Sequence, residues 1–352
     1  MTPTPDLPSD LKPHGRQFVS VLSLDGGGIR GVISARVVEA LERRTGMPAC
    51  HLFDMVAGTS TGGIIALGLT RPAPDGKGPM YSATQLLDLY RTRGPRIFSR
   101  SLGHRLVSAG GLAGPKYPAD GIESILRDYF GTTRIREALT PVLVTSYDTA
   151  AASPYFFKSY RAMSDLQPAG DYPMWQAARA TSAAPTFFPP LSLKPVDPSE
   201  ADKCLVDGGV FANNPAMCAL ADAYKLYRDS RLPVLVVSVG TGNDDLRLLY
   251  RDAKGRGLLT WAVPILKIVF DGVSDTVDYQ AEEMADHYYR FQEDSVAEQM
   301  DDASPEAIQR LLAAADRLIG EKESSLNELA RELVENLTPA TPGHLSGDLS
   351  TA

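Results

Sequence analysis

Apolar residues along this chain recur in two alternating rhythms. Phe18–Leu24 is a compact β-type run, and Gly31–Thr45 then carries Ile33, Val37, Val38 and Leu41 at helical spacing. Leu52–Ala57 predicts a second strand, followed by a helix from Ser60 to Leu69. After the Pro/Gly loop Arg71–Pro79 comes a helix over Ser82–Arg93, then a weakly periodic stretch, Gly94–Pro118, expected to be a mobile loop. Ala119–Phe130 reads as helix, Pro141–Tyr147 and Tyr155–Lys158 as strands, and Trp175–Ser182 as a helix stopped by Pro185. Cys204–Val206 is a brief strand, Pro215–Tyr227 a helix with proline in its first turn, and Val234–Val239 a buried strand.

Past Gly242 helical patterns dominate. Leu258–Ala285 reads as helix with one short break, and Tyr288–Gln292 as a last edge strand. Two further helices, Pro305–Ile319 and Glu321–Leu337, follow the start signal Ser304-Pro305-Glu306. Strands alternating with helices predict an α/β fold with a mainly parallel, helix-flanked sheet. The pattern assigns residues 16–337 to the folded part, with a C-terminal helical layer from about residue 255 to 337 acting as padding or as a regulatory layer. The ends, 1–15 and 338–352, are rich in Pro, Thr, Ser and Gly and are expected to be disordered tails.

Composition narrows the class. At 352 residues, 43% hydrophobic and 22% charged, the chain has the make-up of a globular protein. Its net charge of −8, with no block of like charge, argues against nucleic acid as a partner but leaves membrane contact open. Cys50, Cys204 and Cys218 are widely spaced and are expected to be buried small hydrophobes in a reducing compartment. No Cys/His pair has metal-ligand spacing, so no metal is expected. The N-terminus lacks the apolar core of a signal peptide, which predicts a cytoplasmic location. Leu258–Phe270, the most apolar segment, is interrupted by Pro264 and Lys267 and is too short to span a bilayer. It can pack in the core, or it can cap a site or touch lipid.

Two glycine-rich turns carry candidate chemistry. Gly58-Thr59-Ser60-Thr61-Gly62 lies between a strand and a helix, where a serine nucleophile needs small neighbours and gains from the positive helix end. A serine that merely caps the helix fits the same pattern. Asp25-Gly26-Gly27-Gly28-Ile29-Arg30-Gly31 offers successive backbone N–H groups that could hold an oxyanion. It also matches a dinucleotide-binding turn, with Asp54 as the ribose-binding acid, which leaves a non-catalytic nucleotide module as the rival reading. A base for Ser60 is not found among His14, His51, His104, His287 and His344, none of which follows a sheet strand in a late loop. Asp207, followed by Gly208 and Gly209, is the better candidate, since a carboxylate at a strand end can approach a hydroxyl directly. A simple Asx turn at Asp207 would leave the same signature.

These three motifs, in this order, resemble the patatin-like phospholipases. Asp25–Gly31 is similar to that family's oxyanion-hole motif, Gly58–Gly62 to its nucleophile elbow, and Asp207-Gly208-Gly209 to its aspartate motif. Ala177–Pro185 and Asn213-Asn214-Pro215 are also similar, as is Met300–Ser304. The resemblance implies a three-layer α/β/α fold with additional C-terminal helices, and a Ser60–Asp207 dyad cleaving fatty-acyl esters of membrane phospholipids. It places the oxyanion hole at Gly26, Gly27, Gly28 and Arg30, the nucleophile elbow at Gly58 and Gly62, and supporting positions at Gly208 and Gly209. Arg30 would steady the loop, meet a lipid phosphate, or form a structural salt bridge. No metal or other cofactor is implied.

A narrower resemblance, carried by Asp271–Gln280 and Tyr288–Gln292, is to bacterial anti-phage effectors switched on by a cyclic dinucleotide. It implies a cyclic dinucleotide activator and action at the inner face of the membrane. Gly94–Gly114 and Leu246–Leu259 are the candidate nucleotide segments, because phosphates need cations or free N–H groups. A constitutive lipase without nucleotide control is the alternative, and a homo-oligomer is left open.

Overall fold

Strand order fixes where the two glycine-rich turns emerge. The computed structural model describes residues 15–98, 114–163, 170–196, 199, 201–243 and 249–337. The predicted tails apart from Gly15, most of Gly94–Pro118, and His14, His104 and His344 lie outside these residues. The described strands form one sheet: β1 (Val19–Leu24), β2 (Met55–Gly58), β3 (Val142–Asp148), β4 (Ser153–Lys158), β5 (Leu191–Leu193), β6 (Lys203–Asp207), β7 (Val234–Val239) and β8 (His287–Phe291). Their order is β5-β6-β3-β2-β1-β7-β8, with β4 also paired to β3. The β3-β2-β1-β7-β8 block is parallel, while β4 and β6 run antiparallel to β3, and β5 to β6.

The helices are α1 (Gly31–Thr45), α2 (Ala49–Leu52), α3 (Thr61–Thr70), α4 (Ala83–Ile97), α5 (Ala119–Phe130), α6 (Ser159–Ala162) and α7 (Met174–Thr181). They continue as α8 (Gly209–Ala212), α9 (Ala216–Leu226), α10 (Tyr250–Ala253), α11 (Leu258–Met284), α12 (Pro305–Glu321) and α13 (Glu323–Leu337). Every residue of β1 and β7 is buried, because helices cover both faces of the sheet. On one face Leu22, Leu24, Val56 and Val237 pack with α1, α3, α4 and α12; on the other Val19, Val21, Met55 and Val236 pack with α9. Each such buried aliphatic side chain contributes roughly 1.5–3 kcal/mol. Three layers result.

Several expectations change. The second strand starts at Met55 rather than Leu52, because Ala49–Leu52 turns as a helix first. The short strand β5, which follows Pro189-Pro190, was not predicted. The expected short break within Leu258–Ala285 is absent, and α11 runs unbroken through Pro264. Proline at 264 has no N–H for the carbonyl of Thr260, and Arg256 Nη1 donates to that oxygen instead, at 2.9 Å. Ser304 caps α12 as its sequence signal predicts, accepting the Ala307 N–H at 3.2 Å. The C-terminal segment contributes an edge strand as well as helices, with α12 packed on α1. Cys50 is buried, whereas Cys204 and Cys218 are only half-buried. Among the described residues, no helix is long and apolar enough to cross a membrane.

One topological detail positions the chemistry. β4 pairs with β3 over Leu143–Asp148, occupying one edge of that strand. The other edge is shared. β2 takes its first half, ending with Gly58 opposite Val144, and β6 takes its second half, ending with Asp207 opposite Ser146. The strands β2 and β6 therefore run head to head, their C-terminal ends separated by two residues of β3, about 7 Å.

Candidate active site

Ser60 lies between β2 and α3, separated from the end of β2 by Thr59, and its backbone has φ 54° and ψ −121°. A non-glycine residue there carries strain of roughly 1–3 kcal/mol, which the surroundings must impose. They do so through two hydrogen bonds. The Ser60 N–H donates to Thr181 Oγ1 at 2.7 Å, and the preceding Thr59 N–H donates to the carbonyl of Leu24 at 3.1 Å, extending the β1–β2 ladder. The turn is tight enough to need glycine on both sides. A Cβ at Gly62 would lie 2.1 Å from the Leu24 oxygen, and one at Gly58 would lie 2.2 Å from the Gly62 oxygen. Under the turn, Thr59 Oγ1 donates to the Ala212 carbonyl at 2.6 Å and lies 2.7 Å from Thr145 Oγ1.

Asp207 ends β6 and is buried. Its N–H donates to the carbonyl of Ala183 at 3.0 Å, so the last residue of α7 and the turn after it hold Ser60 and Asp207 respectively. The Ser60 hydroxyl lies close enough to the Asp207 carboxylate to pull its pKa down, and the Gly209 N–H donates to Asp207 Oδ1 at 2.8 Å. The Asx-type bond and the approach to serine thus coexist at one carboxylate. Burial pushes the Asp207 pKa from 3.8 up to about 7, against the opposing pull of the Ser60 hydroxyl and the Gly209 N–H. Gly208 starts α8 by accepting the N–H groups of Phe211 and Ala212.

The first glycine-rich turn stands alongside, because β1 and β2 are parallel with Leu24 opposite Gly58. Its N–H groups divide into committed and open ones. Gly26 donates to the Asn213 carbonyl at 3.0 Å, Ile29 to Met300 at 2.8 Å, and Arg30 to Gly27 at 3.2 Å. The N–H groups of Gly27 and Gly28 donate to no acceptor among the described residues, and both glycines line the same cleft as Ser60. Gly28 has φ +60°, which turns the chain back under the Met300 carbonyl. Arg30 is buried and does not line the cleft.

The cleft holds about 680 Å³ of space outside the protein atoms, part of it open to solvent. Ser60, Asp207, Asn213 and the two glycines form its polar end, and side chains such as Ile64, Ile122, Phe187, Phe188 and Phe270 form its apolar walls. No histidine lines it. The described His51 and His287 are both exposed on other elements. Among the described residues, no group of three or more His, Cys, Asp or Glu side chains converges as for a metal ion.

The dinucleotide-turn reading fails on placement. Asp54 precedes β2 and bonds Ser20, accepting its N–H at 2.8 Å and its hydroxyl at 2.9 Å. That is the opposite end of the sheet from Gly26–Gly31, about 16 Å along β1, so Asp54 cannot serve a ribose there. The segments proposed for an activating nucleotide fall partly at 99–113 and 244–248, outside the described residues.

Three contributors were not assigned from sequence. Thr181 and Asn213 lie in stretches noted only for their resemblance. Arg290, on β8, likewise lies in a stretch, Tyr288–Gln292, noted only as an edge strand and for its resemblance. Its Nη2 pairs with Asp25 Oδ2 at 2.7 Å and its Nη1 donates to Ser238 Oγ at 2.7 Å. Burial works against the Arg290 charge, but the Asp25 carboxylate more than offsets it and holds the guanidinium above its usual pKa.

A family profile described as "Patatin-like phospholipase" matches residues 22–220, which include the whole of this arrangement from the oxyanion-type turn to Asp207. The chain belongs to that family. Patatin-like protein 2 of Oryza sativa subsp. japonica is 31% identical over 364 residues, covering 92% of this chain and 89% of its own length. Patatin-T5 of Solanum tuberosum is 32% identical over 345 residues, covering 88% and 86%. Among solved structures, VipD from Legionella pneumophila aligns over 91% of this chain and 67% of its own, with TM-score 0.38 and 13% identity. As a patatin-like phospholipase, the chain is a lipid acyl hydrolase.

Proposed function

We propose that this patatin-like enzyme cleaves fatty-acyl ester bonds of membrane phospholipids through a Ser60–Asp207 dyad. The observation that carries the reading is that Ser60, on its strained turn, and the buried Asp207 carboxylate line the same end of one cleft, with burial pushing that carboxylate up to about 7. A base poised there is about half ionised at neutral pH and basic enough to accept a proton in the transition state. Ser60 Oγ attacks the acyl carbonyl while its proton passes to Asp207. The Gly27 and Gly28 N–H groups receive the developing oxyanion. The alcohol product then leaves with the proton from Asp207, forming an acyl-enzyme at Ser60, and a water activated by Asp207 releases the fatty acid. The apolar walls take the acyl chain.

The test is fatty-acid release from phospholipid vesicles by wild type, Ser60→Ala and Asp207→Asn. Release by wild type and none by Ser60→Ala supports the dyad; release by Ser60→Ala at the wild-type rate contradicts it. The finer reading, an anti-phage effector acting at the inner membrane face after a cyclic dinucleotide binds, draws its support from Asp271–Gln280 and Tyr288–Gln292 alone. Its test adds a panel of cyclic dinucleotides to the same assay. Stimulation by one of them supports gating, and equal rates across the panel contradict it.

A further inference from the structure

Among the described residues, nine large hydrophobic side chains stand exposed, and six of them fall between positions 249 and 284. Four of them precede Phe270: Leu249 is 50% exposed, Tyr250 81%, Ile265 47% and Ile268 45%. Scattered exposed hydrophobics need no explanation, but this concentration does.

The geometry of α11 sharpens the point. Its buried stripe runs through Phe270, Ser274 and Ala281. Phe270 lines the catalytic cleft, and Ser274 Oγ donates to Asp25 Oδ2 at 3.3 Å. At about 100° per residue, Ile265 and Ile268 lie on the opposite side of the helix. The first half of α11 is therefore apolar on both sides, one toward the cleft and one outward. A surface helix of a globular protein ordinarily turns polar residues outward. The second half is mixed: Asp271, Asp275, Asp278, Glu282 and Glu283 stand among the exposed Tyr279 and Met284.

Charge follows the same division. Residues 249–270 carry Arg251, Lys254, Arg256 and Lys267 against Asp252, a local net charge of +3 in a chain whose total is −8. An apolar face edged with cations matches one kind of surface, the anionic headgroup layer above acyl chains.

We propose that α10 and the outward face of α11 form the docking surface that seats this enzyme on an anionic phospholipid bilayer. Ile265, Ile268 and Tyr250 enter the boundary between headgroups and acyl chains, and Arg251 and Lys254 meet the headgroups. The helix that docks is the one whose inner side borders the cleft, so a lipid leaving the bilayer passes along α11 to Ser60. The proposal rests on phospholipid being the substrate.

The experiment measures binding apart from catalysis. Ser60→Ala protein, alone and combined with Ile265→Ser/Ile268→Ser, is sedimented with vesicles of phosphatidylcholine and phosphatidylglycerol. The double substitution is expected to lower partitioning at least tenfold. In the Ser60 background, it is expected to leave hydrolysis of the soluble ester 4-nitrophenyl butyrate within twofold of wild type. Arg251→Glu/Lys254→Glu should lower binding to anionic vesicles at least fivefold and leave binding to pure phosphatidylcholine unchanged. A second readout needs no change to the face. In Trp175→Phe protein, which retains Trp261, one turn before Ile265 on the outward side of α11, brominated acyl chains should quench at least half of the fluorescence.

Partitioning that survives Ile265→Ser/Ile268→Ser overturns the proposal, as does the absence of bromine quenching. A dimer that becomes monomeric with the double substitution also overturns it, by assigning the face to a second copy. Failure of the phospholipase reading shows separately, as vesicle binding without fatty-acid release by the Ser60 enzyme.

Discussion

Thr181 Oγ1 accepts the backbone N–H of Ser60 at 2.7 Å, and this bond holds the nucleophile in its strained turn. Thr181→Val keeps the shape of the side chain but leaves that N–H without a partner, at a cost of roughly 1–3 kcal/mol. Because a misplaced nucleophile loses rate steeply, kcat should fall at least tenfold while KM changes little. Thr181→Ser should restore most of the rate. Steady-state kinetics on a soluble ester check both variants.

Strain at Ser60 makes a second prediction. Ser60→Ala removes the hydroxyl but keeps a Cβ at φ 54°, whereas Ser60→Gly also relieves the backbone. Glycine adds freedom to the unfolded chain, which offsets part of the gain. Ser60→Gly should still be more stable than Ser60→Ala by about 1 kcal/mol. Urea unfolding of the two inactive variants measures the difference.

Asp207 links pH to rate and to stability in opposite directions. The base must be ionised to accept the serine proton, so kcat/KM should rise about tenfold per pH unit below its pKa and flatten above about 7. Stability runs the other way. The folded chain holds the Asp207 proton up to about pH 7, whereas an unfolded aspartate releases it near 3.8. Between those values the folded state binds more protons, so stability from this group is fully present below pH 3.8 and is lost as pH rises through 7. The full effect is roughly 4 kcal/mol. Asp207→Asn should therefore be inactive yet melt higher than wild type at pH 8, with the gain shrinking toward pH 5. Thermal melts across that range test the sign.

Arg290 and Asp25 form a buried pair joining the last strand to the first glycine-rich turn. Arg290→Met strands a buried carboxylate and should destabilise the fold by about 3–5 kcal/mol. Adding Asp25→Asn removes that charge and should recover at least half of the loss. Chemical denaturation of the single and double variants supplies the comparison.

Local features were legible in the sequence, and long-range ones were not. Strands such as Val234–Val239 and helices such as Ala119–Phe130 announced themselves by apolar spacing and flanking turn residues. The strand–turn–helix setting of Ser60 was equally plain. In contrast, the three-residue β5 is too short for a period, and α11 continues through Pro264 because a side chain eight residues earlier caps the freed carbonyl. Thr181 lies 121 residues from Ser60, and Arg290 lies 265 from Asp25. No local pattern encodes such contacts. The meeting of Ser60 with Asp207 depends on β2 and β6 sharing one edge of β3, a property of the folded sheet alone.

The most direct measurement of the dyad is covalent labelling by a fluorophosphonate, mapped by peptide mass spectrometry as a function of pH. The account predicts a single adduct on Ser60, a labelling rate that rises with a midpoint near pH 7, and a rate in Asp207→Asn that is lower by at least a hundredfold and independent of pH. An adduct on another residue, or Ser60 labelling at the wild-type rate in Asp207→Asn, would contradict it.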